Sequence, residues 1–343
     1  MRRIIFLFSI MWCTMSAMAQ ENKVVNLQLE TRIDYQHEFL DGNTVKSNSG
    51  FRGKYLNVML SGDIGKHWSY SYRQRLNKAH ANQSFFDATD WIHLTYTLNK
   101  HWSFNAGKQV VGIGGYEYDR APIDLYFCSE YWNNIACYQF GVSTTYTTRK
   151  GHDSFMAQVC ESPFRHKSRN LYAYNLMWFG KHGCYNSIWS INAMQAAPGR
   201  VVYYLALGNE FRFGDAKVQL DFMNRAGNNH CPLFKDFSVM GEFSYLVAKK
   251  VNLFARMSYD VNKTNSTADL CVLPGTDITR LGAGIEYYPL KQSSHDLRFH
   301  LFGCHTFGRN GNLDGVLQDN QNFIRACVKF RMDVISLTKK IFK

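Results

Sequence analysis

The most strongly patterned segment of the chain alternates apolar and polar residues across positions 324–334. Ile324, Ala326, Val328, Phe330, Met332 and Val334 fall on one face, and Arg325, Cys327, Lys329, Arg331 and Asp333 fall on the other. Successive side chains of a β-strand point to opposite sides of the sheet, so this strand has one apolar and one charged face. About sixteen such segments follow one another between residues 24 and 334. An apolar outer face and a polar inner face on strand after strand indicate a closed barrel in a lipid bilayer.

The strand lengths and connections agree with this architecture. We predict strands at 24–35, 54–64, 68–76, 90–98, 102–111, 138–147, 153–160, 171–180, 185–195, 201–213, 216–225, 237–247, 251–261, 278–288, 296–307 and 322–334. Short connections alternate with long ones at 36–53, 77–89, 112–137, 226–236, 262–277 and 308–321. The predicted fold class is all-β, a transmembrane antiparallel β-barrel of about 16 strands with short periplasmic turns and long external loops. Both chain ends are then expected on the periplasmic side.

The first residues have the features of an export signal. Arg2 and Arg3 precede an apolar run and a small-residue end at 17–19, which predicts a signal peptide over residues 1–19. Residues 20–343 show no linker or shift in composition, so we predict a single outer-membrane β-barrel domain in a Gram-negative bacterium. The mean hydropathy of −0.31 and the absence of an apolar run of about 18 residues exclude a membrane-spanning helix.

Charge and repeated turn residues indicate the partners of the chain. The formal net charge of +12 favours anionic lipid headgroups and anionic solutes as partners. No segment resembles a nucleic-acid-binding module. A Lys-His pair occurs in three separate short turns, at 66–67, 100–101 and 181–182. Because these imidazoles sit in different turns, we interpret them as interfacial residues that contact outer-membrane lipids, and we predict neither a metal site nor a cofactor.

The cysteines leave two alternatives open. Disulfides could join 128 with 137, 231 with 271, or 304 with 327 in an oxidising envelope. The alternative is that these thiols are free or simply buried.

The segment 107–120 and the loop that follows it contain the candidate site. Glycines at 107, 112, 114 and 115 permit a sharp reversal and close backbone approach, as a loop folded back into a lumen requires. We predict that 112–137 forms an inward constriction loop, packed on the wall by Tyr116, Tyr118, Tyr126 and Phe127. The charged residues expected to face the solute are Glu117, Asp119, Arg120, Asp124 and Glu130. The alternative is an external lid held by the aromatic residues.

The Gly-Lys-x-x-x-Gly element at 107–112, the sixteen strands and the long third loop together resemble the phosphate-selective porin O and P family of Gram-negative outer membranes. This resemblance implies passive, often anion-preferring diffusion, with the third loop as the constriction and arginines along the pathway in phosphate-selective members. Resemblance to general porins also implies a homotrimer. In this chain the third loop has one arginine, Arg120, and four carboxylates.

Strand parity also predicts charged residues on the lumen wall. The basic residues predicted to line the pore are Arg73, Arg75, Arg256, Arg280, Arg298, Lys329 and Arg331. A sixteen-stranded barrel is wide enough for an aqueous channel. The predicted function is a porin for passive diffusion of small hydrophilic solutes, including anions such as phosphate. The alternatives are a loop-plugged structural or adhesive barrel and a barrel-embedded hydrolase. No serine elbow or paired Asp motif accompanies the histidines near the long loops, so we do not predict an enzyme.

Overall fold

The computed structural model describes residues 23–78, 85–164, 170–227, 233–291 and 295–338. Its sixteen long strands are β1 Lys23–Leu40, β2 Gly50–Ile64, β3 Trp68–Arg75, β4 Thr89–Thr97, β5 Trp102–Val110, β6 Tyr138–Thr147, β7 Asp153–Glu161, β8 Tyr172–His182, β9 Tyr185–Ala197, β10 Arg200–Phe213, β11 Ala216–Gly227, β12 Asp236–Ala248, β13 Val251–Asn262, β14 Asp277–Lys291, β15 His295–Arg309 and β16 Gln321–Thr338. The predicted signal peptide, 1–19, lies outside the described residues.

The strands form one closed antiparallel sheet. Each strand pairs with its neighbours in sequence, and β1 pairs with both β2 and β16, which closes the barrel. The predicted fold class is therefore confirmed. Closure leaves no unpaired sheet edge, so the backbone hydrogen bonds of the membrane-spanning part are satisfied within the barrel.

Several strands extend further than the sequence pattern predicts. β1 continues to Leu40 and β2 begins at Gly50, so the first external connection spans 41–49 instead of 36–53. It contains a two-residue strand, Asn43–Thr44, and a 3-10 helix, Lys46–Asn48. The ladder between β1 and β16 continues through Glu38 opposite Phe323 and up to Leu40 opposite Gln321. Strand pairing thus extends past the region where lipid imposes the apolar pattern, and hydropathy alone does not mark these ends.

The two faces of the strands have the predicted parity. On β13, the side chain of Leu253 is 43% exposed and that of Phe254 is 4% exposed, and the alternation continues along the strand. At the short-turn end, tryptophans pack on tyrosines of the neighbouring strands, with ring centroids 4.7 Å apart for Trp68 and Tyr96 and 4.9 Å apart for Trp102 and Tyr146. Such aromatic pairs are typical of the interfacial girdle of a membrane barrel.

Histidines connect the short turns of the barrel to one another. The Nδ1 atom of His67 lies 2.8 Å from the carbonyl oxygen of Thr97, and the Thr97 N–H donates back to the His67 carbonyl at 2.7 Å. His101 makes the same pair of contacts with Thr147, at 2.9 and 2.8 Å. His152 repeats them with Lys181, at 3.2 and 2.8 Å. Each histidine therefore joins the start of one strand to the end of the next.

The helices are short and lie in the connections. The α-helices are α1 Phe85–Ala88, α2 Tyr116–Asp119 and α3 Glu130–Asn134, and a second 3-10 helix covers Pro122–Asp124. No helix among the described residues has the length and apolar composition needed to cross a membrane. All of these helical segments except α1 and Lys46–Asn48 lie between β5 and β6.

Candidate functional site

The connection between β5 and β6 covers residues 111–137. Residues 112–137 are called loop 3 here, and the first of them pack on the inner side of the wall. The Gly112 N–H donates to Gln158 Oε1 of β7 at 2.6 Å, and Asn192 Nδ2 of β9 donates to the Gly112 carbonyl at 2.6 Å. The Gly114 N–H donates to Ser190 Oγ at 2.8 Å. A Cβ atom on Gly114 would lie 2.6 Å from a carbonyl oxygen of β9, so only glycine permits this approach.

A network of ion pairs connects the next residues of loop 3 to β12 and β13. Arg120 Nη1 and Nη2 each lie 2.7 Å from one carboxylate oxygen of Glu242, and Nη2 also donates to Gln219 Oε1 at 2.7 Å. Arg256 donates to Glu242 at 2.9 Å and forms an ion pair with Glu117. Because the contact of Arg120 with Glu242 is bidentate and charge-assisted, it fixes both the position and the orientation of the guanidinium.

Glu117 serves as an internal acceptor of loop 3. Its carboxylate accepts hydrogen bonds from Ser129 N at 3.0 Å and from Ser129 Oγ at 2.5 Å, and its own N–H donates to Asp221 at 2.7 Å. The side chain is 2% exposed. It therefore contacts the wall and its own loop, in contrast to the expectation that it faces the solute.

The middle of loop 3 contacts the last two strands and β1. The Asp124 carboxylate lies 2.6 Å from Lys329 Nζ and 3.1 Å from Arg298 Nη1. Burial raises the pKa of Asp124, but Lys329 and Arg298 lower it more, so the net pKa is below its usual range. Arg32 Nη1 donates to two loop carbonyls, those of Ile123 at 3.1 Å and Leu125 at 2.6 Å. Loop 3 is thus bound to opposite parts of the wall.

Aromatic packing holds the tip of loop 3. The Tyr126 ring stacks on Phe254 of β13 with centroids 4.4 Å apart, and it contacts His300 at 4.9 Å and Phe302 at 5.0 Å. The guanidinium of Arg298 lies over the Tyr126 ring at 5.3 Å. Such cation–π and aromatic contacts add to the apolar burial of the tip.

The end of loop 3 is anchored by α3. Asp260 of β13 accepts the N–H groups of Glu130 at 2.8 Å and Tyr131 at 3.2 Å, and the Ser129 side chain caps the helix by accepting the Trp132 N–H. The side chain of Glu130 is fully buried. It does not face the solute as expected from the sequence.

Two of the predicted constriction residues are less enclosed. Asp119 and Arg120 are both partly exposed at the end of α2. Burial raises the pKa of the Asp119 carboxyl to about 6, against a smaller lowering by Arg120. At neutral pH this carboxyl is ionised, and its charge is lost under mildly acidic conditions.

The predicted pore-lining residues all lie on the inward faces of their strands, but with different partners. Arg73 and Arg75 pair with Asp90 at 3.2 and 3.1 Å. Arg256, Arg298 and Lys329 contact loop 3 as described above. Arg331 is buried on β16. Arg280 differs because its hydrogen-bond partners, Thr306 Oγ1 and Gln321 Oε1, are neutral oxygens.

No local sequence signal marks the neutral side chains that hold loop 3. Gln158, Ser190, Asn192 and Gln219 are inward-facing by parity, yet each contacts a loop residue between 46 and 99 positions away. Strand parity predicts that these side chains face the interior of the barrel. Their contacts with loop 3 depend on the register of the closed barrel.

The cysteines are free wherever they are described. Cys128, Cys137, Cys271, Cys304 and Cys327 form no disulfide, which favours the free-thiol alternative for the 128–137 and 304–327 pairs. Phe323, and not Cys327, lies opposite Cys304 in the ladder. Cys231 lies outside the described residues.

Comparison with known proteins agrees with the fold and the predicted resemblance. Residues 25–183 match the family described as "Phosphate-selective porin O and P". An anion-selective porin from Comamonas acidovorans has 11% sequence identity and a TM-score of 0.61, with 91% of this chain and 99% of that chain covered. The in-vitro folded trimer form of OmpT from Vibrio cholerae has 14% identity and a TM-score of 0.61, with 90% and 99% covered.

A third similar structure is the outer-membrane channel DcaP of Acinetobacter baumannii, with 12% identity, a TM-score of 0.61, and 91% of this chain and 98% of that chain covered. At these identities the solved structures show a shared fold alone. No curated protein matches the chain.

Proposed function

We propose that this chain is an outer-membrane porin of the phosphate-selective porin O and P family, whose model matches residues 25–183, that it prefers small anions such as inorganic phosphate, and that its narrowest point is at loop 3. The observation that carries the anion preference is a buried arginine on the wall beside loop 3 whose charge has no carboxylate partner among the residues that the structure describes. The proposed constriction is supported by the many contacts between loop 3 and the inward faces of the strands.

Arg280 of β14 supplies this charge. Its side chain is 2% exposed, with Nε donating to Thr306 Oγ1 at 2.7 Å and Nη2 donating to Gln321 Oε1 at 2.6 Å. Within the described part of the chain, no carboxylate lies within ion-pair distance of it. Both Arg280 and Arg325 lie over the Phe323 ring, at 5.6 and 4.7 Å. Arg325 pairs with Asp34 at 3.6 Å, so among the described residues Arg280 supplies the unbalanced positive charge, which raises the local concentration of anions.

The anion preference can be measured by reversal potentials in planar bilayers under a potassium chloride gradient. The wild type is expected to pass chloride more readily than potassium, and Arg280→Gln is expected to reduce this preference. Lys46→Gln removes an exposed cation of the first external loop and is expected to have little effect. A cation-selective wild type, or equal effects of the two variants, would contradict the proposed role of Arg280. Competition by added phosphate tests whether phosphate enters the same pathway.

A loop-plugged structural barrel is the second candidate function. It is favoured by the extent of the contacts of loop 3, which reach β1, β7, β9, β11, β12, β13, β15 and β16. Such a barrel would insert into bilayers and remain heat-modifiable but would conduct no ions. We propose that the channel has no enzymatic activity, because Glu117, Arg120 and Asp124 of loop 3 are each held in ion pairs with the wall.

We propose a homotrimer as the assembled state. It is supported by the likeness to the trimer form of OmpT from Vibrio cholerae and by an apolar depression of about 1030 Å³ on the outer face of β3 to β10. Small side chains such as Ala106, Ala157 and Ala193 line this depression, and small residues allow close packing within a bilayer. Crosslinking of the native membrane protein is expected to yield trimers, and an Ala157→Trp variant is expected to reduce them. Recovery of monomer alone from the wild type would refute the assignment.

A further inference from the structure

Three potential metal ligands lie side by side on three adjacent strands of the inner wall. Asp34 on β1 is directly opposite Cys327 on β16, and Cys327 is directly opposite His300 on β15. Directly opposed residues project to the same face with Cβ atoms about 4.5–5.5 Å apart. The carboxylate oxygen, the imidazole nitrogen and the sulfur all lie within 4.8 Å of one another.

The imidazole of His300 has an unusual environment. Its side chain is 4% exposed, and in the part of the chain that the structure describes neither ring nitrogen has a hydrogen-bond partner. Leaving a buried polar group without a partner is costly, so such a group points to a missing ligand. The ring is held by Tyr126 at 4.9 Å and by Phe302 at 6.0 Å. Its position is therefore fixed by packing alone.

We propose that Asp34, His300 and Cys327 bind a thiophilic divalent metal ion, with Zn²⁺ as the ion that fits best. One sulfur, one nitrogen and one oxygen donor form a set that zinc accepts, whereas Mg²⁺ and Ca²⁺ prefer oxygen alone. Three protein ligands leave a fourth tetrahedral position for water. Because Asp34, His300 and Cys327 are 1%, 4% and 5% exposed, the bound ion would be buried between the wall and loop 3. The site does not depend on the proposed anion preference.

Two arginines beside the site, Arg32 and Arg325, compete with a metal ion for Asp34, and Arg325 Nη1 lies 3.6 Å from Asp34 Oδ2. Arg32 Nε and Nη2 lie 2.8 and 2.9 Å from the two oxygens of Asp34, and Nη2 is 3.8 Å from Cys327 Sγ. Zinc must take one Asp34 oxygen from Arg32 and release the thiol proton of Cys327 to solvent. Arg32 keeps its two bonds to the carbonyls of loop 3 in this exchange. Competition with Arg32 makes the site weaker than a structural zinc site.

The binding can be detected in the full detergent-folded barrel with Co²⁺ as a spectroscopic substitute for Zn²⁺. Cobalt bound to a thiolate gives a sulfur-to-metal charge-transfer band in the near ultraviolet, and Zn²⁺ is expected to remove it by displacement. The chain has 12 histidines that can bind metal weakly, so the sulfur signal and not stoichiometry alone identifies this site. X-ray absorption of the zinc-loaded wild type is expected to show one sulfur at about 2.3 Å and nitrogen or oxygen at about 2.0 Å.

Variants assign the signal to the three residues. Cys327→Ser is expected to abolish the charge-transfer band, and His300→Gln and Asp34→Asn are each expected to weaken Zn²⁺ binding by about tenfold or more. Cys304→Ser is the matched control, because Cys304 is a buried, inward-facing thiol on the strand next to β16.

Two results would overturn the proposal. The first is an X-ray absorption spectrum of the zinc-loaded wild type that shows no sulfur ligand. This test does not depend on the folding of any variant. The second is a band that persists in a heat-modifiable Cys327→Ser barrel or disappears in Cys304→Ser.

Discussion

The ion pair between Arg120 of loop 3 and Glu242 of β12 provides a sharp test of whether loop 3 sets ion selectivity. Arg120→Gln and Glu242→Gln both break this contact, but they change the charge of the lumen in opposite directions. If charge at loop 3 controls selectivity, Glu242→Gln raises the preference for anions and Arg120→Gln lowers it. If the two variants act only by loosening loop 3, both shift conductance and selectivity in the same direction.

The structure bounds the size of both effects. Removing one member of a buried ion pair costs about 3–5 kcal/mol when the other member is left unpaired. Here Glu242 keeps Arg256 at 2.9 Å and Arg120 keeps Gln219 at 2.7 Å. We therefore expect a smaller loss of about 2–3 kcal/mol in the free energy of unfolding.

The change in ion selectivity is calculated from the Coulomb energy between the removed charge and a passing ion. A unit charge about 5 Å from a passing ion contributes about 3 kcal/mol at an effective dielectric constant of about 20, and about 0.8 kcal/mol at about 80. Since about 1.4 kcal/mol corresponds to tenfold, the permeability of each ion is expected to change by between about fourfold and a few hundredfold, in opposite directions for anions and cations.

The assay combines reversal potentials in planar bilayers with urea unfolding in lipid vesicles followed by tryptophan fluorescence. Lys46→Gln, at an exposed position, controls for charge far from loop 3. Equal reversal potentials in wild type, Arg120→Gln and Glu242→Gln, with folding intact, would refute the assignment of loop 3 as the selectivity element. Shifts of the same sign in both variants would refute the electrostatic reasoning.

Four further predictions follow from other parts of the structure. Leu253→Arg, on the lipid face, is expected to cost about 2–4 kcal/mol in unfolding free energy, and Asn252→Arg less, because Asn252 already lies 2.6 Å from an inward carboxylate; equal losses in urea unfolding would contradict the parity. Gly107→Ala is expected to cost about 3 kcal/mol or more, since φ is +130° and a Cβ would lie 2.3 Å from a carbonyl oxygen of β4; a neutral effect on the urea midpoint would argue against this geometry. The raised pKa of Asp119, about 6, favours the protonated folded state, so stability relative to Asp119→Asn is present below about pH 4 and is lost as the pH rises through 6; parallel stability curves for the two proteins would exclude this. Deletion of 116–127 is expected to raise single-channel conductance, and an unchanged value in a folded barrel would remove loop 3 from the constriction.

The faces of the strands could be predicted from sequence because their cause is local. Leu253 faces lipid and Phe254 faces the interior, as the period of two requires. The role of Phe254 was not predictable, because it stacks on Tyr126 of loop 3, which lies 128 positions away. Such contacts depend on which residues the closed barrel places at the same height.

The same limit applies to the candidate site. Glycines at the start of loop 3 indicated close backbone approach, but no pattern linked Arg120 to Glu242, 122 positions away. The row formed by Asp34, Cys327 and His300 exists only because β1 closes against β16 in one register. The stagger of a closing barrel is a property of all its strands together, so a single segment does not encode it.

The histidine contacts at the short-turn end bear on the order in which the barrel can assemble. His67, His101 and His152 each stand directly before a strand. Each of them bonds to the end of the next strand in the sequence. Each of these contacts requires only a hairpin and the strand that follows it. None of them requires β1 to pair with β16. A partly formed sheet that enters the membrane can therefore stabilise its short-turn end one hairpin at a time. The other ends of the strands are still separated by long loops at that stage.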